Sequence, residues 1–112
     1  MTQILYRSAF ELAKDIKAGT LSSERVLDFY LDRIQRFNPA LNAVVAMDID
    51  TARARAKAAD LAAGRGEDWG PLHGVPITVK DALATQGLVT VGGIPARAGQ
   101  VPTHFIFAGL SL

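Results

Sequence analysis

Two glycine–proline breakers, Gly70-Pro71 and Gly74-Val75-Pro76, flank Leu72-His73 and constrain this chain more than any other feature. Glycine reaches backbone conformations that other residues avoid, and proline fixes φ while removing a donor, so the pair brackets a turn. The apolar run Val75 to Val79 then leads directly into Lys80 and Asp81. β-Branched residues suit a pleated, buried surface, which predicts a short inner strand over Ile77-Thr78-Val79. Pro76 cannot donate to a ladder and therefore belongs at the first residue of that strand. The strand delivers Lys80 at its carboxyl end, reaching a site or half-buried. Burial of a lysine disfavours its charged form, and the neutral amine is the form that accepts a proton.

The 112 residues amount to one domain at most, with a modest core. A composition 49% hydrophobic and 21% charged is that of a soluble globular chain. A formal net charge of +1 gives no electrostatic basis for direct binding of nucleic acid or of an anionic membrane. The absence of cysteine excludes disulfides and thiolate metal sites and fits a reducing compartment. The stretch Met1 to Arg7 lacks the basic and apolar regions of a signal peptide, and no apolar run approaches the roughly 20 residues of a membrane helix. These readings place the chain in the cytoplasm.

Upstream of the turn, helical signals dominate. Ser8 and Glu11 have capping-box spacing, Ala9, Leu12, Ala13 and Ile16 share a face, and Gly19 is placed to end the helix, predicting Ala9 to Ala18. Thr20, Ser22 and Ser23 offer caps for a second helix with an apolar stripe of Val26, Leu27, Tyr30, Leu31, Ile34 and Phe37. Its acids gather toward the amino end and Arg33 and Arg36 toward the carboxyl end, as the helix dipole favours, and Asn38-Pro39 terminates it. Ala43-Val44-Val45-Ala46 is consistent with a strand or a buried helical turn. Asp48 and Asp50 can cap an alanine-rich helix over about Thr51 to Ala63, stopped by Gly64. Its alanines suit close packing, and Arg53, Arg55 and Lys57 spread around the cylinder instead of forming a basic stripe. Gly64 to Trp69 reads as a polar linker.

Downstream, residues 82–86 read as loop or one helical turn, Gly87 to Gly93 as a short strand between glycines, and Ile94 to Thr103 as loop. The final stretch, His104 to Leu112, is abruptly apolar and without charged side chains.

Most chemistry-bearing residues have a structural reading. Gly87 and Gly92-Gly93 lack both a following lysine and dinucleotide-loop spacing, which excludes nucleotide binding of those kinds. His73 and His104 lack a carboxylate cluster at ligand spacing, so no metal is expected and each reads as a turn or surface residue. Asp48, Asp50, Glu67 and Asp68 read as caps and linker residues, not as a glycosidase pair. Trp69 reads as packing beside the turn. Lys80 is the exception, with a structural ion pair to Asp81 or another acid as its competing reading.

Gly70-Pro71-Leu72-His73-Gly74-Val75-Pro76-Ile77-Thr78-Val79-Lys80-Asp81 resembles the segment that carries the lysine of the amidase signature family, and Gly87-Leu88-Val89-Thr90-Val91-Gly92 resembles the stretch that follows it there. The capped helix ending in Asn-Pro, Leu41-Asn42-Ala43-Val44 and the alanine-rich helix match as well, so the resemblance runs to Thr103. It implies an α/β fold, a mixed central sheet flanked by helices, of which this chain supplies the amino-terminal helices and first strands. It also implies carboxamide hydrolysis by a Ser–cis-Ser–Lys arrangement without a cofactor, in which a serine attacks, a second serine relays its proton and Lys80 acts as base and then acid. The oxyanion would be held by backbone amides of a Gly/Ser-rich loop. No Gly-Gly-Ser-Ser-Gly-Gly-Ser stretch occurs in the sequence, and Phe105-Ile106-Phe107 stands where the family has an acidic residue opening a helix. The expectation is therefore residues 1–103 as the first part of an amidase domain, with 104–112 an atypical tail read from a shifted frame. Such a chain is inactive alone, its partner in the complete protein is a small-molecule amide, and its unpaired strand edges invite self-association. The alternative is a non-catalytic module that docks on a partner through the apolar tail.

Overall fold

A computed structural model describes residues 2–80. The chain divides into two units: the first holds residues 2–43 and 49–76, and the second includes 44–48 and 77–80. Regular structure among the described residues is helical, with α1 (Thr2–Leu5), α2 (Ala9–Ala18), α3 (Ser23–Leu41) and α4 (Ile49–Gly64). The expected elements and tail beyond Lys80 lie outside the described residues.

Short-range chemistry fixes both ends of α2. Ser8 accepts from the Glu11 amide at 3.2 Å, and the Glu11 carboxylate accepts from the Ser8 amide at 2.8 Å. At the other end Gly19 takes φ 76°, its N–H meeting the Ile16 carbonyl while the Thr20 N–H meets that of Asp15. These paired bonds close the orphan carbonyls of the last turn. Thr20 also donates its hydroxyl to the Asp15 carbonyl, so it closes α2 instead of opening α3. Leu12, Ala13 and Ile16 are buried, whereas Ala9 of the expected apolar face is exposed.

Ser22 is the N-cap of α3, accepting from the Arg25 amide at 3.1 Å. The helix does not stop at Asn38-Pro39. It runs through Pro39 to Leu41 and ends at Asn42, whose φ of 48° is left-handed and whose N–H bonds the Asn38 carbonyl. A proline lacks only its own amide, and asparagine tolerates the left-handed conformation, so the end moves to where it can be closed. The extension leaves no basic residue in the last turn, so Arg33 and Arg36 do not serve its dipole as the sequence predicts. Arg36 instead pairs with Asp32 at 3.0 Å, and Arg33 lies over the Phe37 ring.

Helix α4 begins at Ile49, with Asp50 in its first turn, and includes Gly64. Its true stop is Gly66, at φ 76°, with Gly66 N–H to the Ala63 carbonyl and Glu67 N–H to that of Ala62. Ala56, Ala59 and Ala62 are buried on one face, and α4 packs on both α2 and α3. Methyl side chains let helices approach at the short end of the usual spacing. Beside them, Ile4, Leu12, Ile16 and Val26 form the apolar core, with Leu21, Phe29, Tyr30 and Val75 packed against it. Each large aliphatic side chain fully buried there contributes about 1.5–3 kcal/mol. No described helix is long and apolar enough to cross a membrane.

Neither the strand or buried helical turn expected over 43–46 nor the strand expected over Ile77 to Val79 is formed among the described residues. A strand exists only with a hydrogen-bonded neighbour, and side-chain pattern alone does not supply one. Ile77 and Val79 are 46% and 42% exposed, not the inner-strand burial their β-branching suggests.

Candidate functional site

The breaker pair does form a turn. His73 N–H bonds the Gly70 carbonyl at 3.1 Å and Val75 N–H that of Leu72 at 3.0 Å, closing two overlapping turns. Gly70 and Gly74 take φ of 127° and 74°, where an L side chain is strained. Gly74 is also pressed onto the helices: a Cβ there would lie 2.9 Å from Ile16 Cγ2 and 3.1 Å from Ser23 Cβ. The close approach lets the buried Ser23 hydroxyl donate to the Gly74 carbonyl at 2.5 Å.

Of the two places expected for His73, the turn and the surface, it occupies the turn, where it is buried at 2% exposure. Trp69 N–H donates to Nδ1 at 3.0 Å, and Nε2 faces the Ala59 carbonyl at 2.8 Å. An amide only donates and a carbonyl only accepts, so these partners assign the neutral tautomer with its proton on Nε2. Position 73 can be buried because both ring nitrogens are satisfied by backbone groups. The Trp69 ring lies 5.0 Å from the imidazole, and the Arg55 guanidinium sits 4.2 Å from the centre of the indole. Trp69 thus packs beside the turn as the sequence suggests.

The polar linker is an anchor too. Asp68 accepts from Gly70 N–H at 2.8 Å and pairs with Lys17 at 2.9 Å. The Gly70 amide first, and Lys17 second, hold the Asp68 carboxyl below the ordinary range. Glu67 is lowered in the same direction by its hydrogen bond from Arg65. One further anchor had no reading in the sequence. Asp60 of α4 accepts from the Ser23 and Glu24 amides at 2.6 and 3.2 Å, capping α3 from a neighbouring helix. An acid in the middle of an alanine-rich helix was its only signal, and α3 already had Ser22 as its local cap.

Lys80 lies in the second unit and is exposed. The desolvation invoked for a strand-end lysine is therefore not supplied by the described residues. Among the described residues no group of three or more His, Cys, Asp or Glu side chains could hold a metal ion.

A family model described as Amidase matches residues 25–104, which include the whole turn and Lys80. The chain is 38% identical over 104 residues to a glutamyl-tRNA(Gln) amidotransferase subunit of Acidothermus cellulolyticus, covering 93% of this chain and 21% of that protein. It is 34% identical over 96 residues to an acylamidase of Rhodococcus erythropolis, covering 86% and 20%. With an indoleacetamide hydrolase of Bradyrhizobium diazoefficiens it shares 39% over 90 residues, covering 80% and 17%. The chain thus spans about one fifth of the length of these relatives.

Proposed function

The chain belongs to the amidase signature family, and from that premise we propose that Lys80 is the proton-transfer residue of a carboxamide hydrolase whose serines lie outside these residues. The observation that carries the reading is the position of Lys80, directly after the Gly70–Val79 segment and inside the family match over residues 25–104. In the proposed cycle a serine Oγ attacks the amide carbonyl while its proton passes through a bridging serine to the neutral Lys80 amine. The tetrahedral intermediate then expels the amine, which takes the proton back from Lys80 through the same relay. Water repeats the sequence on the acyl-serine and releases the carboxylate. Backbone amides of a Gly/Ser-rich loop would hold the oxyanion.

The fold that goes with this reading is a mixed sheet flanked by helices, with the described helices on its flank and Ile77 to Val79 becoming a strand when neighbours pair with it. The relatives are named for glutamyl-tRNA(Gln) amidotransfer, acylamide and indoleacetamide chemistry, and the shared element is the amide, so a carboxamide is the proposed substrate class. A cytoplasmic compartment suits a chain without cysteine. The sequence holds no Gly-Gly-Ser-Ser-Gly-Gly-Ser stretch, so these residues alone are proposed to be inactive.

Two measurements test the proposal. Coding DNA read past the Thr103 codon in three frames is expected to resume with an acidic residue, an apolar helix and a Gly/Ser-rich loop. Failure of every frame to do so overturns it. The purified chain is expected to show no turnover of small carboxamides, and turnover that disappears in Lys80→Ala would show that the chain is complete by itself.

A further inference from the structure

We infer that His73 is a proton-operated latch: its neutral ring holds the Gly70–Pro76 turn closed, and a second proton on the ring releases it. All the groups involved belong to the first unit, so the reading of Lys80 does not enter. Each nitrogen of the buried imidazole faces a backbone group of fixed role. Nε2–H donates to the Ala59 carbonyl of α4 at 2.8 Å, while Nδ1 accepts from Trp69 N–H at 3.0 Å. An imidazolium donates from both nitrogens and accepts at neither. A proton on Nδ1 would point at the Trp69 N–H, setting two donors against each other and leaving that amide without its acceptor. The closed turn has no place for the proton, so the ring leaves its site to take one up.

The charged groups around His73 are consistent with release. Glu67 and Asp68 of the linker are held low chiefly by their own hydrogen bonds, from the Arg65 guanidinium and the Gly70 amide, with a lesser contribution from His73. Their side chains are exposed, so they attract an imidazolium that has moved outward. Lys17 of α2 pairs with Asp68, Arg65 with Glu67, and Arg55 of α4 lies over the Trp69 ring. Asp60, next to Ala59, is taken up by the Ser23 and Glu24 amides, and α3 presents the uncharged Ser23 to the turn. Among these side-chain types only histidine ordinarily changes charge between pH 5 and pH 7. Opening takes up a proton that the closed turn does not hold, so falling pH favours it. An opened histidine titrates near its ordinary value of about 6.5, so the opening constant is level well above that pH and grows about tenfold per unit well below it.

Hydrogen exchange of the Trp69 amide in the full chain, corrected for the intrinsic pH dependence of exchange, reads the opening. Its opening constant is expected to rise about 25-fold from pH 7 to pH 5, with the Val75 amide of the same turn rising in step. In His73→Gln, whose side chain does not titrate, the Trp69 constant is expected to stay level. The Ala56 amide, in the buried face of α4, separates a local opening from unfolding of the whole unit. Urea below the unfolding transition should raise the Ala56 constant and leave that of Trp69 nearly unchanged, because a turn exposes little surface. The ring nitrogens of His73 in the parent give a reading that does not depend on any variant. They are expected to show the Nε2–H tautomer wherever the Trp69 amide is protected. A level Trp69 constant in the parent overturns the latch, as does an equal rise in His73→Gln. So does a Trp69 constant that follows Ala56 in size and in urea, or a proton on Nδ1 while the Trp69 amide stays protected.

Discussion

Gly70 to Pro76 and Ile77 to Lys80 are adjacent in sequence and belong to one recognisable segment, but their physical situations are opposite. In the first stretch the backbone closes two turns, a histidine is buried with both nitrogens paired, and one glycine is packed so tightly that no Cβ fits. In the second, Ile77 and Val79 are substantially exposed and so is the lysine. Tight packing of the turn is a demand of the helices it touches, and it is met within the unit. The chemistry proposed for Lys80 needs a Gly/Ser-rich loop that the described residues do not contain. A sequence segment can thus combine a part that is structurally complete with a part that is not.

The sharpest way to break this comparison is a pair of alanine substitutions. His73→Ala should cost about 2–4 kcal/mol, because it leaves the Trp69 amide and Ala59 carbonyl unpaired and opens a cavity. Lys80→Ala should change stability by no more than about 0.5 kcal/mol, as expected for an exposed side chain. Urea unfolding of the two variants against the parent decides the matter, and equal losses would erase the contrast. Asp60→Ala comes next, at about 1.5–3 kcal/mol, since two amides of the first turn of α3 lose a charged acceptor. The same unfolding experiment measures it, and a loss below that of Lys80→Ala would show that Ser22 caps α3 unaided.

Gly74→Ala should cost about 1–3 kcal/mol, from the left-handed φ together with the contact on Ile16. Thr78→Ala, on the other side of the boundary, should stay within about 0.5 kcal/mol. A stable Gly74→Ala chain would mean that the turn can back away from the helices. Its signature would be loss of hydrogen-exchange protection at the Val75 amide. Ser8→Ala is smaller still, at about 1 kcal/mol, because it removes one half of a local capping box at the far end of α2.

What was legible in the sequence follows the range of the interaction responsible. Ser8, Glu11 and Gly19 delimit α2 through bonds spanning a few residues, and the structure places its ends where those residues predict. That the alanines of α4 suit close packing could likewise be read from composition, though not which of them are buried. Pro39 misled because one missing amide near a helix end costs a single bond, while Asn42 offered a better stop. Gly64 misled because the left-handed position was taken by Gly66. His73, Ser23 and Asp60 were illegible as anchors, since each acts across a fold contact: Ser23 meets Gly74, and Asp60 meets the start of α3. The strand over Ile77 to Val79 was inferred from residue type, which records suitability for a sheet but not the presence of a neighbour.

Acid provides the gentlest probe of the turn. Asp68 is held below its ordinary carboxylate range by the Gly70 amide and then by Lys17. Its folded-state value is thus depressed relative to the unfolded chain, where neither contact survives. A group of that kind contributes its full stabilisation above the unfolded value of about 4, and the contribution is lost as pH falls through the depressed folded value. Asp68 is exposed, so the effect is small and partly screened. Asp68→Asn retains an acceptor oxygen for Gly70 but removes the charge and its titration. The parent should therefore unfold at higher urea than Asp68→Asn at pH 7, and the two midpoints should converge as pH falls through the depressed folded value. Glu11 and Glu67 are lowered as well and remain in both proteins, so both curves fall with acid and only their separation reports Asp68. Added salt should shrink the Lys17 contribution at pH 7 more than that of the short Gly70 bond. A separation that persisted undiminished at low pH would mean that the asparagine disturbs the turn for reasons other than charge, and the pairing of Asp68 with Lys17 would then have no part in holding it.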